Sequence, residues 1–265
     1  IVFGSSQIAA IRTAQLAALT TAQIAGLGTA QIAALTSAQV PALTTNQLVN
    51  GLTTTQLQAI EATDVAVLKT SQIAALASSQ IANLGTAQVV ALTTTQVGAL
   101  TASQIASGLT TAQVRAMEAA DIAALRTSQI VALTTAQVAA LTVTQIASGL
   151  TTAQVKAMEA ADVAALGTTQ LAALTAAQVP VLTLSQLAAM STAQTYALKG
   201  MFLTTTQLAA LTTAQVNSAS TPLILDLNED GKLSQSISSG VQFDLLATGD
   251  KIHTGWVASG DGLLV

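Results

Sequence analysis

Large apolar residues recur along the chain with a period of eight residues. The clearest copy is Thr-Ala-Gln-Ile-Ala-Ala-Leu-Thr at Thr29–Thr36, and 26 copies run from Gln7 to Gln215, counted at their Gln or Asp position. In nearly every copy, one large apolar residue stands directly after the Gln or Asp and a second one follows three residues later. A short fixed period indicates a stacked repeat, whose units together bury a surface that none buries alone.

The octad favours a short helix over a strand. Its first Thr is a good N-cap, and the Gln three residues later completes a Thr-x-x-Gln capping box. Ala, Gln and Leu are strong helix formers, and the two large apolar residues fall on one helical face. In the alternative fold, a β-solenoid, these two residues would point to opposite faces, which would expose one of them in every copy.

One continuous helix does not fit the same pattern. Eight residues rotate an α-helix by about 800°, so the apolar pair drifts about 80° per copy around the axis. The Thr pair at each junction is a natural interruption. The sequence therefore predicts an all-α repeat solenoid of short octapeptide helices over residues 1–220. Its Gln column either caps the helices or forms a buried amide ladder, with a ligand-binding array as the remaining alternative.

Three octads are stretched to nine residues, and each contains a glycine, namely Gly51, Gly108 and Gly149. The extra residue predicts a corner or a correction of superhelical register. In the block that follows each glycine, a Glu such as Glu159 replaces the cap Thr. This replacement predicts that two octads fuse into one longer helix there.

Two prolines and one long interval interrupt the octads. Pro41 and Pro180 each follow a Gln-Val pair, which predicts very short or irregular helices. The interval from Gln194 to Gln207 is thirteen residues long and contains a Tyr, a Met and a Phe. This aromatic group is predicted to close the end of the solenoid, with a binding patch as the alternative.

Composition excludes several classes of function. Hydrophobic residues make up 51% of the chain, but charged residues only 8% and aromatic residues 2%. The net charge of −4 lies in the last 45 residues, which argues against a nucleic-acid partner. The absence of Cys excludes thiol catalysis, disulfides and zinc–thiolate sites. No apolar run predicts a transmembrane helix, and the start at Ile1 indicates a fragment or a processed product.

Three acid pairs carry much of the charge of the repeats. The acids of each pair stand three residues apart, so they are neighbours on a helix. We expect a solvated, partly salt-bridged stripe with Asp at a favourable N3 position; a repeated cation or partner site is the alternative. Catalysis by paired carboxylates is disfavoured, because the pairs form an array without a cleft. The pairs are Glu61/Asp64, Glu118/Asp121 and Glu159/Asp162.

The tail, residues 221–265, carries half of a calcium loop. Oxygen ligands at alternate positions followed by a Gly are typical of an EF-hand-type loop. Ile237 stands where the bidentate Glu would be, and Leu223–Leu227 looks like a strand, so a complete helix-loop-helix is not expected. The predicted Ca²⁺ ligands are Asp226, Asn228, Asp230 and the main-chain carbonyl of Lys232.

The tail also resembles a block of large type I-secreted RTX-type proteins, including the FrpC-like group. In that family the block reads roughly LDLDGDG, FDLDxDG, TGWV and DGLLV, and it is associated with calcium. The octads resemble the LTTAQVAAL arrays of very large bacterial surface and secreted proteins. The matching segments here are Pro222–Gly231, Gly240–Asp244, Thr254–Val257 and Asp261–Val265.

The resemblance implies more about the tail than its residues show alone. The second acidic loop of the family has lost two acids here, so Asp244 and Asp250 are assigned to support the first calcium site. Similar proteins continue past this block, so the tail is expected to be an incomplete segment. Some FrpC-like relatives cleave themselves at Asp-Pro, but this chain has no Asp-Pro. His253 lacks a plausible nucleophile partner, and no catalytic residue is assigned.

These observations predict a non-enzymatic, secreted protein of the bacterial surface or extracellular space. The expected role is the shaft or subunit of an adhesin, a filament or a surface layer, with calcium in the tail and self-association through the repeat faces. The first alternative is an adhesion module that binds a carbohydrate or protein ligand, although recognition surfaces are usually richer in aromatic residues. The second is a calcium-dependent self-processing protein.

Overall fold

The structure is a computed structural model that describes residues 4–198 and 202–219, with backbone only from 217 to 219. It also gives the backbone of four short strands between residues 223 and 264. The chain forms two compact units, Ile1–Ala173 and Leu174–Val265. Each unit is described by itself below.

The first unit is built from short helices, one for nearly every octad. None of them exceeds six residues, so each depends on packing against its neighbours. They are α1 (Ser5–Ala9), α2 (Thr13–Ala17), α3 (Thr21–Ala25), α4 (Thr29–Ala33), α5 (Thr54–Ala59), α6 (Ala62–Val65), α7 (Thr70–Ala75), α8 (Ser78–Ala82), α9 (Thr86–Val90), α10 (Thr94–Ala99), α11 (Thr111–Ala116), α12 (Ala119–Ala124), α13 (Thr127–Val131), α14 (Thr135–Ala139), α15 (Thr152–Ala157), α16 (Ala160–Ala165) and α17 (Thr168–Leu171).

Helix α10 shows how the octad forms its helix. Thr93 is extended, with φ −72° and ψ 155°, and its hydroxyl accepts a 3.2 Å hydrogen bond from the Gln96 backbone N–H. The helix ends at Leu100, whose φ of −57° and ψ of 137° turn the chain into the next cap. The predicted capping box is therefore confirmed, and so is the all-α repeat solenoid of short helices.

The two apolar columns form the core of this unit. The residue after each Gln, such as Ile105 or Val97, is fully buried. The Leu three positions later is also buried in most octads, as at Leu76 and Leu100. The short Ala, Ser and Thr side chains occupy the other positions, where they allow close approach of neighbouring backbones. Many small repeated contacts stabilise the stack.

The helices pack on those of the preceding turn in a staggered arrangement. Helix α10 packs against α7, three octads earlier in the chain, and against α12, three octads later. Hydrogen bonds from Gln side chains instead reach carbonyl groups 28 to 32 residues earlier, in the fourth octad back. Each helix therefore lies across the junction between two helices of the turn before it.

The nine-residue octads contain π-helical turns. At Gln104–Gly108 the extra residue is accommodated by a bond from the Leu109 N–H to the Gln104 carbonyl, 2.8 Å long and five residues back. The glycine permits close approach, since a Cβ on Gly149 would lie 2.9 Å from the Ala119 carbonyl oxygen. The other π-helical turns are Gln47–Gly51 and Gln145–Gly149.

The prediction that two octads fuse after each glycine is wrong. Met117 and Glu118 are both extended, with ψ near 150°, and they separate α11 from α12. The reason is that Asp121 keeps the capping role of Gln, because its Oδ2 accepts a 3.2 Å hydrogen bond from the Glu118 N–H. The prediction for the prolines is confirmed, since a short 3₁₀ turn, Val40–Ala42, contains Pro41.

In its described residues, the second unit contains a 3₁₀ turn with Pro180 and four helices, of which α18 packs against α20 and α19 against α21. In the long interval between Gln194 and Gln207, Leu198 and Leu203 are buried, whereas Tyr196 is 55% exposed. The prediction that the Tyr, Met and Phe of this interval close the end of the solenoid is therefore wrong for Tyr196; Met201 lies outside the described residues. The elements are Val179–Val181, α18 (Leu184–Ala189), α19 (Thr192–Ala197), α20 (Thr205–Ala210) and α21 (Thr213–Ala219).

The second unit also contains two antiparallel strand pairs. Strand β1 pairs with β4, with Ile224 opposite Leu263, and β2 pairs with β3, with Gln242 opposite His253. The β2–β3 register shifts between Ser236 and Val241. Calcium binding by this tail, and its boundary at residue 220, stay predictions. The strands are β1 (Leu223–Leu225), β2 (Ser236–Phe243), β3 (Ile252–Trp256) and β4 (Gly262–Leu264).

Candidate functional site

The Gln column is the most regular polar feature of the first unit. From Gln39 to Gln154 none of its glutamines is more than 6% exposed. Each side-chain oxygen in this range accepts a hydrogen bond from the N-cap backbone N–H of its own helix. For Gln104, the Thr101 N–H donates to Oε1 over 2.8 Å. The predicted capping role is thus present in the buried column.

The same side chains also form the predicted amide ladder. Gln104 Nε2 donates to the carbonyls of Ile73 and Leu76, at 2.8 and 2.7 Å. These carbonyls belong to α7 and the residue that follows it, one superhelical turn earlier. The same reach-back is made by Gln39, Gln47, Gln56, Gln72, Gln80, Gln88, Gln96, Gln113, Gln129, Gln137, Gln145, Gln154 and Gln170.

The ladder solves the chief problem of a very short helix. In a helix of five or six residues, most N–H groups at the start and most carbonyls at the end lack a partner within the helix. One Gln accepts from the start of its own helix and donates to the end of a helix one turn earlier. Neither Glu, which cannot donate, nor the shorter Asn could do both. The sequence pattern left the cap and the ladder as alternatives, but each buried Gln has both roles, one through its oxygen and one through its nitrogen.

Three aspartates occupy the Gln position and break the ladder. Asp64, Asp121 and Asp162 are at most 5% exposed, so the expectation of a solvated, partly salt-bridged stripe is wrong for them. Asp64 Oδ1 accepts a 2.6 Å hydrogen bond from the Ser37 hydroxyl, and Thr135 makes the corresponding bond to Asp162. An ionised carboxylate has no proton to donate to the carbonyls of the preceding turn.

Burial changes the acidity of two of these groups. The pKa of Asp121 is raised from its usual 3.8, chiefly by desolvation; the Glu118 N–H opposes this shift and the Glu118 carboxylate adds to it. Desolvation also raises the pKa of Asp162, against the lowering effect of the Thr135 hydroxyl. Burial therefore favours the neutral form of both carboxyls.

Replacing Asp121 by Gln should repair one gap of the ladder. By the spacing of the neighbouring glutamines, the new amide reaches the carbonyls of Val89 and Leu92. We expect the free energy of unfolding to rise by about 1–2 kcal/mol at pH 7. Because folding raises the pKa of Asp121, its favourable contribution is present below pH 3.8 and is lost as the pH rises through the folded-state value. The gain from Asp121→Gln should therefore shrink on acidification.

Urea unfolding followed by circular dichroism between pH 4 and pH 7 measures this effect. Asp64→Gln is the companion variant, since its new amide bonds are offset by the loss of the Ser37 hydrogen bond. Its gain at pH 7 should be the smaller of the two. A loss of stability in Asp121→Gln at pH 7, or a gain that does not change with pH, would contradict the interpretation.

The other charged side chains of the acidic blocks lie on the surface. Glu61, Glu118 and Glu159 are exposed, as are Lys69, Arg115, Arg126 and Lys156. Within residues 4–198 and 202–219 they form no ion pairs, so the expected salt bridges are absent there. The same residues contain no group of three or more His, Cys, Asp or Glu side chains placed to hold a metal.

All the residues predicted to bind calcium lie outside the described part of the chain. They are Asp226, Asn228, Asp230, Lys232, Asp244 and Asp250. His253 and Trp256 belong to strand β3, but their side chains are not described. The sequence predicted a buried amide ladder but not its partners, which are backbone carbonyls one superhelical turn earlier. Its signal was the Gln at one fixed position in an otherwise small and apolar octad.

Short capped helices, two apolar columns and a buried amide ladder define an α-helical repeat solenoid. The chain belongs to the ALTTAQ repeat family, which matches more than half of its length. The matched residues are 8–45, 73–111, 107–134, 114–152 and 155–192.

Residues 223–265 are similar to the SPM domain. This match covers the tail in which the sequence analysis placed the calcium loop. Comparison with curated proteins gives no match. Within the described residues, no helix is both long enough and apolar enough to cross a membrane.

Proposed function

We propose that this chain is a non-enzymatic structural repeat protein, secreted to the bacterial surface or beyond it. It acts as the shaft or subunit of an adhesin, a filament or a surface layer. The observation that carries the proposal is the buried Gln ladder, in which a repeated polar side chain is committed to joining one turn to the next. A site for chemistry or for a small ligand would instead leave such groups accessible.

The outer surface of the repeats supports packing against other molecules. It consists largely of Thr, Ser and Ala, with few charges to keep molecules apart. Several larger apolar side chains are also exposed in this part of the chain. They are Val67, Val90, Val131, Val143 and Leu184, each at least 38% exposed.

The sequence of the tail supports the proposal that the protein is secreted and binds calcium. The proposed Ca²⁺ ligands are Asp226, Asn228, Asp230 and Lys232, with Asp244 and Asp250 in support. The basis is the alternation of oxygen ligands before Gly231, together with the resemblance of the tail to type I-secreted RTX-type proteins. Bound calcium would neutralise part of the negative charge that is concentrated in these last residues.

Electron microscopy of the purified chain, with calcium and with a chelator, tests assembly and calcium dependence together. We expect filaments or ordered sheets, and a higher melting temperature in calcium. Asp226→Ala/Asp230→Ala should lose the calcium-dependent rise in melting temperature, because two ligands are removed.

The two parts of the proposal can fail separately. Dispersed monomers under both conditions would overturn the structural role. An unmodified chain whose melting temperature does not respond to calcium would overturn the metal site and leave assembly standing.

A further inference from the structure

Four exposed charged residues of the first unit occupy the same position in their octads. They are the N-cap residues of α6, α7, α12 and α13, namely Glu61, Lys69, Glu118 and Arg126. Within residues 4–198 and 202–219 none of the four forms an ion pair. In each half of the set the base follows the acid by one octad. The helix dipole disfavours a base at the start of a helix, so Lys69 and Arg126 are not explained by their own helices.

The contacts of α10 place the two acid–base pairs on the same side of the solenoid. Helix α10 packs against α7 in the turn before it and against α12 in the turn after it. Its Gln96 Nε2 donates to the Val65 carbonyl of α6 over 3.0 Å, and its Val97 carbonyl accepts from Gln129 of α13 over 3.3 Å. Helices α6 and α7 therefore lie one turn before α10, and α12 and α13 lie one turn after it.

This arrangement gives the surface two neighbouring columns of opposite charge. The caps of α6 and α12 form an acidic column, and the caps of α7 and α13 form a basic column beside it. We call these four residues the charged face. Val67, which is 43% exposed, stands between Glu61 and Lys69 along the chain and adds an apolar side chain.

The charge pattern of this face limits the chemistry of its partner. A polyanion would be repelled by the acidic column, and a polycation would be repelled by the basic one. A complementary partner needs one acidic and one basic column side by side, with their charges spaced two superhelical turns apart. The charged face itself has this pattern, so a second copy of the chain is the partner that it matches.

We propose that the charged face is a docking surface for the charged face of a second copy, in a parallel pair related by a two-fold axis along the solenoid. The acidic column of each copy then faces the basic column of the other, with Glu61 opposite Lys69 and Glu118 opposite Arg126. An antiparallel pair would instead set acid against acid. Exposed ion pairs contribute little stability each, so their main effect is to select orientation and register.

The proposal names a lateral contact within the assembly of the proposed function, on which it rests. Sedimentation velocity of the full chain and of two charge-reversed variants tests this contact. Glu61→Lys/Glu118→Lys makes the charged face wholly basic, and Lys69→Glu/Arg126→Glu makes it wholly acidic. Each variant alone should self-associate more weakly than the unmodified chain, by about tenfold or more, because like charges would meet. Mixed together, the two variants should form one-to-one pairs that dissociate at high salt.

The reversed variants should remain folded, since Glu and Lys both occur as N-cap residues in this chain, and circular dichroism checks this. Ser79→Glu/Ala136→Glu is the control for added charge. These two exposed positions lie on α8 and α14, further round the solenoid than the charged face. The control variant should self-associate like the unmodified chain.

A reversed variant that self-associates like the unmodified chain overturns the lateral contact, and so does a mixture of the two that stays monomeric. Electron microscopy separates this result from the proposed function. Filaments or sheets that persist in both reversed variants overturn the lateral contact alone. One-to-one pairing in the mixture, when the unmodified chain forms no ordered assembly, supports the lateral contact and overturns the structural role.

Discussion

Gln104→Met should lower the free energy of unfolding by about 3 kcal/mol, since three backbone groups each lose a hydrogen bond at a buried position. The Thr101 N–H and the carbonyls of Ile73 and Leu76 would all be left without the side-chain amide. Met keeps the length and flexibility of Gln, so the loss reports the hydrogen bonds more than the packing. Urea unfolding followed by circular dichroism measures the change.

Gln15→Met is the matched control, because Gln15 has the same octad position in α2 and its side chain is exposed. It loses only the 3.1 Å bond from the Arg12 N–H, at an exposed site. Its effect should be less than about 1 kcal/mol. Equal losses in the two variants would mean that the inter-turn bonds of the ladder contribute little to stability.

Gly149→Ala should destabilise the chain by about 2–3 kcal/mol, because the new methyl group would overpack a contact between turns. Its Cβ would lie 2.9 Å from the Ala119 carbonyl oxygen and 3.1 Å from the Ile122 Cβ, so the backbone would have to move. The cost arises from contact across the turn, since the helix propensity of Ala is higher than that of Gly.

Gly98→Ala provides the control for helix propensity. Gly98 lies inside α10, and its added Cβ would be 3.5 Å from the nearest backbone atom, an ordinary contact distance. The variant should gain about 0.5–1 kcal/mol. The same thermal or urea unfolding experiment compares the two. A stable Gly149→Ala would show that the turns can separate at this point without loss.

The sequence was sufficient to predict the unit of this fold. The Thr-x-x-Gln pattern predicted the N-cap, and the Ile–Leu spacing of three residues predicted which face is buried. These features depend on residues within one octad, and they act over a few ångströms. Local rules are therefore enough to derive the helix, its start and its buried face.

Features that depend on contact between turns could not be read in this way. Nothing in the sequence near Gln104 identifies Ile73 as its partner, because that pairing follows from the number of residues in a superhelical turn. The π-helical turns have the same origin, since a nine-residue octad can be absorbed in several ways and packing against the preceding turn selects one. The glycines predicted a corner, but at Gly149 the absence of a side chain instead allows close packing against Ala119 of the preceding turn.

The aspartates show why the charge pattern was misinterpreted. On an isolated helix, Glu118 and Asp121 would be neighbours on one face, and this spacing predicts an acidic stripe exposed to solvent. In the structure, Glu118 is the N-cap residue and remains exposed, while Asp121 takes the buried position of Gln. The wrong prediction of a fused helix had the same cause. The loss of the cap Thr predicted a continuous helix, but the Asp three residues after the Glu still marks the start of a helix.

The nine-residue octads bear on how such a chain finds its correct alignment. Near-identical octads can pair in many shifted registers that keep most of the apolar contacts, so the energy gap between native and slipped states is small. The π-helical turns remove this degeneracy. Gly149 fits against Ala119, but a shift by eight residues would bring Ala157 or Leu141 to that close contact, depending on its direction. The stretched octads recur after seven octads and then after five, so no single shift superimposes all three.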